Sequence, residues 1–433
     1  MTHQKIQLLL LALSILPATG MAQQMTIDDL FSKVKDNSND MKASRTAVDV
    51  AAKDIEIAKS QKLPDIDTQL SFSYNGNGFL TDRDFSHFTS TYIPHFGNNF
   101  AIEASQAVYT GGALSSGIRM AEIGKQQAET GLAITVQQLC FIALGQYLEL
   151  YKIDNQIKVY DKNIALTERL IENVKAKYSQ GTALKNDITR YELQMDDQRL
   201  QRVKLTNQRA ILNHQLCTTI GAKDMTIMPD TTIINKVYEK DGEQSWQNAA
   251  STSSPLLRQT ALSIDLAHQQ TILAKSEQKP KISLMAADYL NGPITIEVPP
   301  INKNLNYWYI GIGLKYNISS LFKSGNKVKR AQISERRNTE EHNAMADRIN
   351  NNVQQAYTLY LQSYEELSTE QKSVALAIQN YDVINNRYLN QLALVTDMVD
   401  AENTKLSTEL QEVNARIGVV YAYYKMKYVS GTL

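Results

Sequence analysis

The side chains that could do chemistry in this chain lack the spacing that a reaction centre needs. His87 and His95 share a loop, but they stand eight residues apart with no cysteine nearby, so solvated imidazoles are expected in place of a metal pair. Cys140 and Cys217 are the only thiols, too few to staple a chain of 433 residues. Six basic residues crowd KSGNKVKRAQISERR, from Lys323 to Arg337, where a helix beginning near a membrane suits them better than nucleic acid does. Asp397 and Asp400 stand one helical turn apart in TDMVDAE, and carboxylates in a first turn favour the helix dipole. HExxH, CxxC, a phosphate loop and a nucleophile elbow are absent, and NGNG at Asn75 follows a strand without opening a helix. No catalytic residue, metal site or cofactor is expected.

The elements that carry these residues occur twice. AKSQKLPDI from Ala58 returns as AKSEQKPKI from Ala274, and KYSQGTALKNDITRYE from Lys177 returns as RYLNQLALVTDMVDAE from Arg387, at offsets of 216 and 210 residues. The repeat is half the chain, far longer than a solenoid unit. Each copy has the order helix, strand, long loop, strand, very long helix, tight turn, helix, which points to a channel. The expected divisions are a first repeat over 23–220, a linker over 221–250 and a second repeat over 251–433.

With 45 basic and 45 acidic residues the net charge is zero, which removes any general attraction to nucleic acid. Lys5, the apolar run Ile6 to Leu16, Pro17 and the small residues before Ala22 read as an export signal over 1–22, against a buried N-terminal helix as the other reading. No later run of eighteen apolar residues occurs, so no transmembrane helix is expected. Counted from the turn near Gly181, Cys140 and Cys217 lie 41 and 36 residues away, at similar heights on antiparallel helices; an oxidised pair and two buried thiols both fit, the second better.

Leu150, Ile153, Ile157, Tyr160, Ile164, Thr167, Ile171, Val174 and Tyr178 step by three and four, a coiled-coil seam. Tyr357, Tyr360, Tyr364, Leu367, Gln371, Val374, Ile378, Tyr381, Asn385 and Tyr388 repeat it with more polar occupants, and Leu406, Leu410, Val413, Ile417, Val420 and Tyr424 mark the returning helix. A helix from Ala113 to Tyr178 would be roughly 100 Å long at about 1.5 Å per residue, against about 45 Å for a globule of this length, so an elongated molecule is expected.

Four amphipathic strands are expected near 64–75, 98–109, 280–290 and 307–318, each long enough to cross a bilayer core at a tilt. A two-layer sandwich is the plain alternative. Four strands cannot close a barrel, and open edges in lipid leave backbone groups unsatisfied. Three chains would supply twelve strands. The loops Asn75 to Asn98 and Asn291 to Asn306 suit the long outward loops of such barrels. In the first of them Phe79, Phe85, Phe88, Tyr92 and Phe96 are expected to form a small core or to pack over a pore.

The duplicated halves, the AKSxxxPxI junctions, VYTGGALSSGIRMAE and YLNQLALVTDMVDAE together resemble the TolC family of outer-membrane efflux channels, from about Thr26 to Leu433. The resemblance implies an α+β membrane protein: a homotrimer with a 12-stranded β-barrel, four strands per chain, and a long periplasmic α-helical coiled-coil barrel. It implies a collar including Gly221 to Ser254 and the C-terminus. It also implies a Gram-negative outer-membrane location, and partners comprising outer-membrane lipid, a periplasmic adaptor and an inner-membrane RND or ABC pump.

By the same resemblance Asp397 and Asp400 would form an acidic ring at the periplasmic entrance, and Tyr388 with Asp187 would lock the tip between hairpins. Gly181 and Leu184 in one tip and Leu392 and Leu394 in the other would meet the adaptor. An arginine that strengthens the lock in some members is replaced here by Ala393, and the second tip's glycine by Gln391. The implied function is a passive exit duct of a tripartite efflux or type I secretion system. A periplasmic coiled-coil adaptor that itself bridges the membranes is the alternative; it accounts for the hairpins but not for four duplicated strands.

Overall fold

In the computed structural model the first repeat comprises β1 (Gln23–Met25), α1 (Ile27–Asn37), α2 (Asn39–Ser60), β2 (Asp65–Tyr74), β3 (Gly78–Leu80), β4 (Thr89–Thr91), β5 (Phe96–Tyr109), α3 (Ala113–Ser179) and α4 (Lys185–Thr219). It is followed by β6 (Ile227–Pro229), α5 (Glu243–Ser253), α6 (Pro255–Ser276), β7 (Lys281–Gly292), β8 (Leu305–Lys315), α7 (Ser320–Lys323), α8 (Gly325–Leu389) and α9 (Val395–Val429). The structure describes residues 23–223, 225–230, 232, 238, 241–297, 299–390 and 392–433; the expected export signal and Gln391 lie outside them. The described residues form two compact units. One contains Thr46–Glu129 and Arg258–Asn343; the other contains the chain up to Arg45, Thr130–Leu257 and Ala344–Leu433.

The first unit is built on an antiparallel sheet of order β2-β5-β7-β8. Opposed residues share a face, and the register sorts them by polarity. Ile66, Ala104, Ala286 and Ile310 make one cross-strand row, and Leu70, Phe100 and Leu290 belong to another on the same face. The opposite face carries Asp67, Glu103, Ala287 and Tyr309 in register, and Tyr289 donates to Glu103 Oε1 at 2.8 Å. Every residue of β2 is exposed, as are Trp308, Ile310, Ile312 and Leu314 of β8. Among the described residues β2 and β8 have one strand neighbour each, so both sheet edges are open.

The loop after β2 folds back through the pairing of β3 with β4, and Phe79 meets Phe88 at 5.6 Å between ring centroids. Phe79, Phe85, Phe88, Tyr92 and Phe96 all remain exposed, which corrects the expectation of a small loop core: too few neighbours surround the rings to exclude water. His87 bonds Asp82 Oδ2 at 2.9 Å and His95 bonds the Asn75 carbonyl at 2.8 Å, so the two imidazoles have separate, structural partners.

The second unit has two apolar clusters. The larger gathers Leu30 and Val34 of α1, Leu144 and Tyr147 of α3, Leu216 of α4, Val353 and Tyr360 of α8 and Val420 of α9. Here β1 lies parallel to β6, and the fully buried Tyr147 ties the two together: its hydroxyl donates to the Met25 carbonyl at 2.6 Å and accepts from Asp230 N at 2.8 Å. Gly221 follows α4 at φ +66°, where a Cβ would run into the Asn37 backbone, so only glycine fits. Cys140 and Cys217 are buried free thiols, and burial pushes the Cys140 thiol pKa up. By length and composition alone, α3 contains a stretch able to cross a membrane, a correction to the expectation that no helix qualifies. Its Cys140, Ala143, Leu144, Tyr147 and Leu148 belong instead to this protein core.

The smaller cluster unites Leu170, Ile171 and Val174 of α3 with Tyr191, Tyr381, Tyr388 and Met398. The first seam follows expectation from Leu150 to Val174, whereas Tyr178 is exposed. In α8 the expected Gln371 and Ile378 are exposed and Ala356, Ser363 and Ala377 are buried. In α9 the expected Ile417 and Val420 are buried, but in its first half the buried line is Ala401, Glu402, Lys405 and Glu409, one residue out of phase with the half-buried Leu406 and Leu410. Polar partners explain the shift. Asn163 Nδ2 donates to Glu409 Oε2 at 3.1 Å, Lys162 lies 3.5 Å from Glu409 Oε1, and Lys405 sits 4.8 Å over the Tyr381 ring.

Candidate functional site: the two helical tips

Two hydrogen-bonding features of the tips repeat at an offset of 210 residues. After α3, Thr182 N donates to the Lys177 carbonyl at 2.9 Å; after α8, Leu392 N donates to the Arg387 carbonyl at 2.8 Å. This six-to-one bond ends a helix, and Gly181 supplies the positive φ of 75° that accompanies it. The returning helices then start alike. Leu184 N donates to Asp187 Oδ2 at 2.9 Å, and Leu394 N donates to Asp397 Oδ2 at 3.0 Å. Each aspartate therefore caps its own helix from the third position, where its charge also favours the dipole. Asp187→Ala is expected to cost about 1 kcal/mol of local stability, seen as roughly fivefold faster amide exchange at the start of α4.

The cap leaves both carboxylates of the second tip in solvent. Asp397 and Asp400 are exposed, whereas Met398 and Ala401 between and after them are buried. Leu184, Leu392 and Leu394 are each more than two-thirds exposed; Leu184 and Leu394 stand at matching positions of the repeat, and Leu392 stands where the first tip has Thr182.

Tyr388 is buried, and no hydrogen bond joins it to Asp187, whose carboxylate is turned to its own helix start. Burial, with Asp187 nearby, raises the Tyr388 phenol pKa. The group actually placed on this ring is Lys177, whose ammonium lies 4.3 Å from the ring centroid and 3.4 Å from the Tyr388 carbonyl oxygen. A cleft of about 360 Å³ opens beside them, lined by Lys177, Asp187, Arg190, Tyr388 and Leu394 among others. Sequence reasoning missed Lys177 and Arg190. The available signal was that Lys177 aligns with Arg387 in the repeat, so both tips carry a cation at the same step.

The fold has close counterparts. The chain aligns with the outer-membrane channel OprN at a TM-score of 0.77 and 12% identity, covering 94% of this chain and 90% of that one. Against CusC, described as undergoing conformational changes on folding and transmembrane channel formation, the TM-score is 0.80 at 14% identity, with 94% and 92% covered. The outer membrane protein VceC of Vibrio cholerae gives 0.76 at 11%, with 94% and 96% covered. At such identities these matches establish the fold: that of TolC-like channels. No match to the chain is found among curated proteins. The family description "outer membrane efflux protein" fits residues 30–222 and 246–425, one block in each copy of the repeat, and the chain therefore belongs to the outer membrane efflux protein family.

Proposed function

We propose that three copies assemble into an exit duct that passively conducts substrates delivered by an inner-membrane RND or ABC pump through a periplasmic adaptor. Family membership makes the chain an outer-membrane efflux channel of a Gram-negative cell, reaching into the periplasm and performing no enzymatic step. The observation that carries the finer reading is the sheet: one mainly apolar face, in which Asp288 is the charged exception and accepts from Asn306, one polar face and two open edges. Such a sheet suits lipid on one side and a water-filled lumen on the other only once further strands pair with β2 and β8. A bridging adaptor would have no use for it.

At the tips, the exposed Leu184, Leu392 and Leu394, with the turn at Gly181, offer apolar anchors to the adaptor. Asp397 and Asp400, repeated three times about one axis, would draw cations to the entrance, and Tyr388 would hold the hairpins shut. Because Asp397 caps α9, its replacement by asparagine keeps an acceptor for Leu394 N while removing the charge.

Single-channel current in planar bilayers tests the entrance. The wild type is expected to conduct weakly and to be blocked by added divalent cations. Asp397→Asn with Asp400→Asn is expected to weaken that block at least fivefold, since a charge pair at 4 Å in water is worth ~1 kcal/mol. An unchanged block would remove the acidic entrance, and a chain that never inserts into bilayers would restore the adaptor reading.

A further inference from the structure

Glu402 is fully buried, and nothing in passive conduction uses it. Its counterpart 210 residues earlier, Glu192, is half-exposed and paired with Lys175 at 3.0 Å. No salt bridge to Glu402 occurs among the described residues. Thr167 of α3 and Gln194 and Gln198 of α4 face it, as do the phenols of Tyr191 on α4 and Tyr381 on α8. On its own helix Lys405 is near, but that ammonium lies over the Tyr381 ring and 3.9 Å from Glu409, which Lys162 and Asn163 also contact.

The protons around Thr167 can be counted. Its Oγ1 lies 3.0 Å from the Asn163 carbonyl oxygen, 3.2 Å from Gln198 Oε1 and 2.5 Å from Glu402 Oε1. A hydroxyl gives one proton and receives two. The Asn163 carbonyl lies one turn back on the same helix and can only accept; with the Thr167 proton directed there, the hydroxyl has only lone pairs left for Gln198 and Glu402. Gln198 Nε2 is buried without a partner, and turning that amide end for end lets it donate to Thr167. The remaining contact, to Glu402, then needs its proton from the carboxyl group. A carboxylate there would set lone pair against lone pair in a fully buried site, and no salt bridge among the described residues relieves it.

We propose that Glu402 is a neutral carboxylic acid at neutral pH, donating to Thr167, and that this bond between α9 and α3 makes the hairpin pair a proton-responsive joint. The protonation state stands on its own; its effect on conduction rests on the exit-duct reading. Burial is the largest influence and raises the Glu402 pKa, opposed by Thr167, Lys405, Gln194 and Gln198. Both tyrosines stay protonated, Tyr381 being pushed up to about 12 and Tyr191 further. The sign follows from linkage. Because the folded chain binds this proton more tightly than the unfolded one, the site's contribution is whole below the ordinary glutamate range and is lost as pH rises towards the folded-state pKa.

Infrared spectra of the detergent-solubilised protein at neutral pH should contain the carbonyl band of a protonated, water-excluded carboxylic acid. Glu402→Gln should lack it, and Thr167→Val, should the first variant fail to fold, should shift it. Amide exchange over 398–410, corrected for intrinsic rates, should accelerate with pH above the glutamate range in the wild type, by up to about tenfold per pH unit, and stay flat in Glu402→Gln. Absence of the band from the wild type overturns the proposal, as do equal exchange slopes in the two proteins. A band accompanied by conductance that ignores pH overturns the joint while leaving the acid. No conductance from either protein at any pH tells against the duct instead.

Discussion

Tyr147→Ala is expected to lower the stability of the α1, α3 and α9 core by about 4 kcal/mol, near the middle of the range for emptying a fully buried aromatic site. The ring is wholly enclosed, and its hydroxyl is the link between the β1 carbonyl of Met25 and the amide of Asp230. Tyr147→Phe separates the two contributions. It keeps the ring and loses the bridge, at about 1–2 kcal/mol. The loss is partial because Asp230 N also reaches the Met25 carbonyl, at 3.2 Å, and that bond survives. Urea midpoints of wild type, Phe and Ala chains should fall in that order. A phenylalanine chain as stable as the wild type would show that the hydroxyl bridge contributes nothing.

Lys177→Met is expected to raise the open fraction of the channel by about 10–30-fold, the equilibrium equivalent of roughly 2 kcal/mol. The ammonium sits over the ring of the buried Tyr388 and also reaches its carbonyl, thereby joining the end of α3 to the end of α8. Methionine keeps the stem's packing and removes the charge. Tyr388→Ala should act similarly, and the double variant should add little, because both changes delete one interaction. Lys177→Arg should stay near wild type. Single-channel recordings decide: unchanged open probability in Lys177→Met would mean that the tips are held elsewhere.

The strands were legible because a period of two with polar alternates leaves little freedom of register, as the row Ile66, Ala104, Ala286 and Ile310 illustrates. The first coiled-coil seam was legible for a similar reason, its positions from Leu150 to Val174 being almost all apolar. The α9 seam was read correctly at Ile417 and Val420 but misread by one residue in its first half, because hydropathy places Leu406 and Leu410 inward, whereas Asn163, Thr167, Gln198 and Tyr381 make room for Glu402, Lys405 and Glu409. A charged residue in a seam carries no mark in sequence distinguishing it from a solvated one. The Tyr147 bridge was equally hidden, since its partners are backbone atoms 122 and 83 residues away. At the tips the aspartates were found, but their capping of Leu184 and Leu394 was not, although the shared spacing from leucine to aspartate carried that signal.

The bare edges of the β2-β5-β7-β8 sheet also bear on biogenesis. Lipid offers no donors or acceptors to an unpaired strand. A single chain that reached the bilayer would have nothing there to satisfy β2 and β8, whereas in water those strands stay hydrated. Membrane entry should therefore follow subunit encounter, and its rate should climb steeply with chain concentration. In a cell, delivery of new chains would then limit channel number more sharply than the supply of membrane, and a slow-assembling variant would accumulate as a water-exposed, protease-sensitive species before any defect in conduction became visible.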